Sequence, residues 1–266
     1  MVAFSYNYNP AHFKQNKGFF FPEMKKDISK YILKASPELI SKLKECRASG
    51  QKIVVVTASH IDFTELLMSY AYGKDWKDIF DVVSCRARKP GWFSCSRTER
   101  PCLRWNGKKV VDDPPLDAVD PGVVHIEGEW TLMNEWIKSS GGGGKVVYVG
   151  DSFRSDLVPT KQHTTWDAIT VVLEGSKEHA ILGMPNPNPY LNGAEHSHKK
   201  QKLLDNQIDL GTFFGTKSCP TLLHDKLVEY ADLVISDIEA FSGMGLNDVL
   251  VKEGNKFYDF EPFPCQ

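Results

Sequence analysis

The chain has almost no net charge: thirty-two Lys and Arg against thirty-four Asp and Glu leave −2 over 266 residues. A global field that would draw in nucleic acid or an anionic membrane is therefore excluded, and any phosphate chemistry must be local. C-x-x-C pairs are also absent. The six cysteines, Cys46, Cys85, Cys95, Cys102, Cys219 and Cys265, are scattered, which reads as reduced thiols rather than a disulfide framework or a zinc site. No segment approaches the roughly 18 apolar residues of a membrane span. The opening MVAFSYNYNPAHFKQ has no basic start followed by an apolar run, so a cytoplasmic protein without membrane partners is expected. No internal repeat is visible, and GMGLND, after Ser242, lacks the full dinucleotide-binding glycine fingerprint.

What is present is an alternation of helical and strand patterns. ASPELISKLKECRASG has Ser36 as N-cap, Pro37 at the first helical position, Leu39, Ile40, Leu43 and Cys46 on one face, and Gly50 as a stop. KIVVVT comes next, too apolar and short for anything but a strand covered on both faces. HIDFTELLMSYAYG is helical through Ile61, Leu66, Leu67 and Tyr70, and FDVVSC is a second buried strand. GEWTLMNEWIKSS, KVVYV, SDLVPTKQH and AITVVLEG continue as helix, strand, a short helix broken near Pro159, and strand. Such an order predicts an α/β fold with a doubly wound parallel sheet. KGFFFPEMKKD, an aromatic run ended by Pro22, is expected to be an edge strand or extended segment.

Residues 94–127 read as an insertion built on a hairpin at Asn106-Gly107, followed by a proline-rich acidic connection. SSGGGG is a linker too short to divide domains, and residues 176–217 are expected to form a long surface loop. PTLLHDKLVEYADLVIS closes the pattern as helix plus strand. The resulting division is an N-terminal segment at 1–35, a core at 36–175 and a C-terminal extension at 176–266.

Ligands of open parallel sheets bind at the carboxyl ends of strands. KIVVV runs into Thr57, Ala58 and Ser59, FDVVSC is followed by Lys89, and KVVYV ends at Gly150 and Asp151, with Asp156 one turn on. Hydroxyl and N–H donors, an ammonium and two carboxylates on one edge suit phosphoryl transfer, in which catalysis is mostly positioning and charge stabilisation. Thr57 would hold phosphate oxygens, Lys89 would neutralise developing charge, Asp151 would bind Mg²⁺, and Asp156 would support the ion's water or orient Lys89. Plainer readings stand beside these. Thr57 and Ser59 could cap the helix beginning near His60, Lys89 could be a solvated surface residue, and Asp151 could be a turn or cap residue. Cys85 reads as a buried strand thiol, and His196-Ser197-His198 before KKQK as a solvated loop.

VVVTAS, CRARKPGWF and VVYVGDSFRSD, in that order, resemble the second, third and fourth motifs of the haloacid dehalogenase superfamily, and more narrowly its cytosolic purine 5'-nucleotidase branch. The resemblance covers roughly residues 5–175. It implies Thr57 as the phosphate-binding hydroxyl, Lys89 as the phosphate-stabilising lysine, Asp151 as the Mg²⁺ ligand and Asp156 as the second acidic residue. Ala58 stands where relatives of the purine enzyme carry Asn. The implied substrate is a nucleoside monophosphate, with no nucleic-acid partner; a homo-oligomer is compatible with the sequence.

The family's first motif, an apolar strand ending in D-x-D, is missing. Asp112-Asp113 precedes two prolines, and LVISDIEA has no second aspartate at the right spacing. The first aspartate of that motif attacks phosphorus, so no aspartyl-phosphate is expected from this chain alone. The strand that carries it would be central to the sheet. Its absence leads to the expectation of a partial chain, or of a sheet completed by Gly18 to Phe21 or by a partner strand. A non-catalytic phosphate- and Mg²⁺-binding interaction domain is the alternative to a phosphatase.

Overall fold

Ser36 caps the first long helix as its sequence implies: its hydroxyl accepts the amide of Leu39 at 3.0 Å. In the computed structural model, which describes residues 9–141, 144–174, 215–216 and 219–243, the chain divides into two units, residues 1–143 and 144–266. The histidine pair at 196–198, Cys265 and nearly all of the segments at 176–217 and GMGLND lie outside the described residues.

In the first unit, helices α1 (Pro10–Gln15), α2 (Phe20–Lys26), α3 (Pro37–Ala48), α4 (Ile61–Tyr72), α5 (Gly91–Ser94) and α6 (Trp130–Ser139) accompany a five-stranded sheet. Its strands are β1 (Val54–Val56), β2 (Val82–Cys85), β3 (Cys102–Trp105), β4 (Val110–Leu116) and β5 (Val124–Glu127), in the order β1-β2-β5-β3-β4. β1, β2 and β5 run parallel, with Val55 opposite Val83 and Ser84 opposite His125. β3 then pairs antiparallel with both β5 and β4. Ile61, Trp76, Ile79, Phe80, Val83, Cys85 and Ile126 fill the core beside this sheet. Burial pushes the Cys85 thiol up to about 11, so it stays protonated at neutral pH. Cys46, Cys85, Cys95 and Cys102 are all free thiols.

The second unit holds a three-stranded parallel sheet, β10-β7-β6. Its strands are β6 (Val147–Gly150), β7 (Asp167–Val171) and β10 (Leu233–Ile235). The intervening β8 (Gly215–Thr216) and β9 (Cys219–Pro220) form a separate two-residue ladder. Helices α7 (Val158–His163) and α8 (Leu222–Tyr230) complete the described part. Leu157, Ala168, Val172, Leu227, Ala231 and Val234 form its core. Asp232 locks β7 to the end of α8 by accepting both the Ala168 amide and the Lys161 ammonium at 2.7 Å.

The α/β architecture with parallel strands is therefore as expected, but the strands fall in two sheets. Two local expectations are overturned. The aromatic run is the helix α2, not an edge strand: Pro22 lies in its first turn, where a missing N–H costs nothing. Phe21 points inward and meets Phe13, His60 and Phe63 edge to face, with centroids 5.1, 5.7 and 5.2 Å away. Gly18 to Phe21 thus completes no sheet. SSGGGG contains the boundary between the two units, although its length argues against a division there. The hairpin at Asn106-Gly107 is present as β3 and β4, and residues 94–127 hold a third strand, β5, besides; VHIE was missed because four residues give too short a period to separate from a loop.

Phe21 is fully buried. Phe21→Ala is expected to lower the unfolding free energy by about 3–5 kcal/mol, read by urea denaturation. A loss under about 0.5 kcal/mol, the range of surface substitutions, would show that this aromatic cluster does not hold α1 and α2 to α4.

Candidate functional site

The β1 end is a tight loop rather than a cap. The Thr57 hydroxyl accepts the Ser59 amide at 3.1 Å, and the Thr57 amide continues the ladder to the Ser84 carbonyl at 2.9 Å. The cap of α4 is His60, whose Nδ1 accepts the Phe63 amide at 3.3 Å. That decides against Thr57 or Ser59 as the N-cap. Accepting at Nδ1 leaves the proton on His60 Nε2, which has no hydrogen-bond partner among the described residues and sits among Phe13, Phe21 and Phe63. Burial lowers the pKa of His60, with Lys14, Arg86 and Lys25 acting in the same direction and Asp62 opposing.

The β2 end is tied to that loop through the backbone. The Arg86 amide donates to the Ser59 carbonyl at 2.8 Å and the Ala87 amide to the Thr57 carbonyl at 2.9 Å. Lys89 comes two residues later and is half-buried, so it is not a fully solvated lysine; its bond to Pro90 is cis. Thr57 and Ser59 are half-buried and Ala58 is exposed, so Ala58 has only backbone groups to offer a ligand. The first unit therefore brings together Thr57, Ala58, Ser59 and the segment leading to Lys89.

Two carboxylates at the end of β5 were not foreseen. Glu127 receives Arg86 at 2.8 Å and Arg88 at 3.0 Å on the same oxygen. Glu129, 3% exposed, caps α6 by accepting the amides of Thr131 and Leu132, and also takes the Thr131 hydroxyl and Arg97. The only sequence signal was their position at the end of an apolar stretch, because all three arginine partners lie more than thirty residues away in the chain.

In the second unit Asp151 and Asp156 separate into different tasks. Asp156 is 2% exposed; its Oδ1 accepts the Tyr148 hydroxyl at 2.7 Å and its Oδ2 the Ser152 amide at 3.2 Å. Its backbone carbonyl accepts the Thr160 hydroxyl, and the Ser152 hydroxyl accepts the Ser155 amide, closing a wide π-type turn at Phe153–Leu157. Tyr148 stacks on Trp166, and its pKa is raised by burial, then by the charge of and hydrogen bond to Asp156, and by Asp151. The phenol is thus a fixed donor. Gly150 leaves the notch into which Asp156 fits: a Cβ there would lie 2.5 Å from the Asp156 Cβ and 2.7 Å from its Cγ. Asp151 is exposed and makes no hydrogen bond or ion pair among the described residues, and Ser152 rather than Asp151 caps the turn.

The 5' nucleotidase family model matches residues 12–209. The chain belongs to the 5'-nucleotidase family. It is 33% identical over 177 residues to human 5'-nucleotidase domain-containing protein 1, covering 65% of this chain and 38% of that one. The bovine protein of the same name is 33% identical over 183 residues, or 67% and 40%. Human 5'-nucleotidase domain-containing protein 2 is 23% identical over 256 residues, or 84% and 47%. The chain thus spans 38% to 47% of the length of these curated relatives. Within this 5'-nucleotidase family chain, both the glycine–aspartate geometry and the Thr57 loop fall in the matched span. No described helix is long and apolar enough to cross a membrane.

Two measurements test this geometry. Gly150→Ala must push Asp156 from its notch, and is expected to cost about 1–3 kcal/mol and to speed amide exchange at Ser152 and Asp156; unchanged exchange would mean the notch is not filled. For His60 the folded pKa lies below its ordinary value of 6.5, so its contribution is whole above that pH and is lost as pH falls. Buried His125 has the same direction, from burial first. Unfolding free energy should decline below that pH with a slope of up to about 1.4 kcal/mol per pH unit for each histidine. His60→Asn, which keeps a capping acceptor, should flatten this slope in urea titrations at stepped pH; an unchanged slope would assign the loss to other groups.

Proposed function

We propose that this chain supplies phosphate- and magnesium-handling residues of a nucleotidase. In the complete protein the reaction would be hydrolysis of a nucleoside monophosphate through an aspartyl-phosphate. The observation that carries this reading is Asp151: a carboxylate exposed at a strand end, without a partner among the described residues, on a loop fixed by buried Asp156. Such a carboxylate is held by no hydrogen bond or ion pair among the described residues, and a loop this constrained suits a ligand-binding one.

Among the described residues no cluster of three or more His, Cys, Asp or Glu could hold a metal. Mg²⁺ needs no such cluster, because it keeps several waters and takes one or two carboxylates with phosphate oxygens. Asp151 would hold the ion, which would supply charge neutralisation for the phosphate. Thr57 and Ser59 would donate to phosphate oxygens, with the Ala58 amide beside them, and Lys89 would balance charge on the transferred group. Asp156, with one lone pair of each oxygen already used, would keep Asp151 in place and remain the second acidic residue of the reaction. The nucleophile is not among these residues, because no D-x-D ends an apolar strand in the sequence. The reading for the chain itself is therefore binding without turnover, in a cytoplasmic setting. The same missing motif favours the second reading, a non-catalytic domain that binds phosphate and Mg²⁺ for interaction.

Calorimetric titration of the 266-residue chain with Mg²⁺ and nucleoside monophosphates, alongside a phosphate-release assay, tests both readings. Mg²⁺-dependent nucleotide binding without release is expected, and Asp151→Asn should weaken it about tenfold or more, as for loss of a charged contact. No Mg²⁺-dependent binding would reject the assignment of Asp151, and turnover by this chain would reject the non-catalytic reading. A longer form that carries D-x-D and releases phosphate would support the catalytic one.

A further inference from the structure

We propose that Glu127 is a positioning residue that sets the place of Lys89 by clamping the backbone that leads to it. The proposal rests on the reading of Lys89 as the phosphate-facing cation. Arg86 and Arg88 both adopt left-handed backbone angles, φ 55° and 49°, and Glu127 does so too, at 64°. For residues with a Cβ this conformation is unfavourable and persists only where surrounding contacts over-determine it.

The contacts that do so are on both sides of the segment. On one side, the Arg86 and Ala87 amides are bound to the carbonyls of Ser59 and Thr57, and Ala87 is buried. On the other, one oxygen of Glu127 takes both guanidinium groups. The Glu127 carbonyl accepts the Ser84 hydroxyl at 3.2 Å, and Glu127 pairs with Cys102 of β3, so the clamp stands on a fixed strand end. The chain is thus folded over one carboxylate by two arginines spaced two apart, and Lys89 is the next residue. Exposed ion pairs as a class contribute little, but here the Glu127 side chain is only 14% exposed and serves two arginines at once.

Charge and geometry predict opposite results, which makes the role testable. Removing a negative charge near a phosphate site should tighten anion binding if Glu127 acts through its charge; releasing the clamp should weaken it. Wild type, Glu127→Gln, Glu127→Asp and Lys89→Met are compared in the full chain, by titration with inorganic phosphate in Mg²⁺ and by amide exchange at Arg86 and Ala87. The expected result is faster exchange at both amides and about tenfold weaker phosphate binding in Glu127→Gln, the size of a lost charged contact. Glu127→Asp keeps the charge but shortens the arm, and should also weaken binding; it stands in should the Gln variant fail to fold. Unchanged exchange, or phosphate affinity that is unchanged or tighter, overturns the clamp. If Lys89→Met binds phosphate as well as wild type, or wild type binds none, the role of Lys89 fails, and the exchange rates alone then decide whether Glu127 holds this segment.

Discussion

A carboxylate taken out of water must be met by donors, and Asp156 is the place where the loop architecture of the second unit answers to that demand. Its two oxygens are satisfied by a phenol on β6 and an amide four residues earlier in the chain. To bring them there, Gly150 must lack a side chain, the chain must open into a wide turn, and Thr160 must reach back to the Asp156 carbonyl. Each feature is locally odd and jointly consistent. The outcome is an exposed Asp151 on a loop with little freedom of its own.

The first unit solves a related problem with different parts. Thr57 and Ser59 use their carbonyls to bind the segment after β2, so two strand ends form one backbone structure before any side chain is considered. Glu127 and Glu129 then extend that structure to β5 and α6. His60 completes it by capping α4, which frees the Thr57 hydroxyl from that task. These are arrangements of polar groups at the carboxyl ends of parallel strands, where the fold leaves amides and carbonyls that no further strand residue will pair.

Much of this was legible because it is local. Ser36, Pro37 and Gly50 bound a helix from within sixteen residues of sequence, and VVSC and VYVG are apolar runs ending in residues that a ladder does not need. The residues of the candidate site are proposed by the same logic, from their places just past the strand ends. The features that escaped were non-local or ambiguous. Pro22 at the first turn of a helix looks the same in sequence as Pro22 ending a strand. A histidine does not announce itself as a cap, and nothing near Glu127 in the sequence shows that its partners are arginines about forty residues earlier. The distribution of strands over two sheets is likewise a matter of pairing, which apolar pattern alone does not specify.

Gly128 sits between the two carboxylates, with φ 81° and the space for a Cβ occupied by Cys102, whose Cβ and Sγ would lie at 3.3 Å. Glu127 before it turns toward the arginines of one loop, and Glu129 after it turns back to head a helix. The glycine is thus a swivel shared by two otherwise separate devices. A side chain there would disturb both at once, so these three consecutive residues are expected to vary together or not at all as the sequence drifts, although their partners come from different parts of the chain.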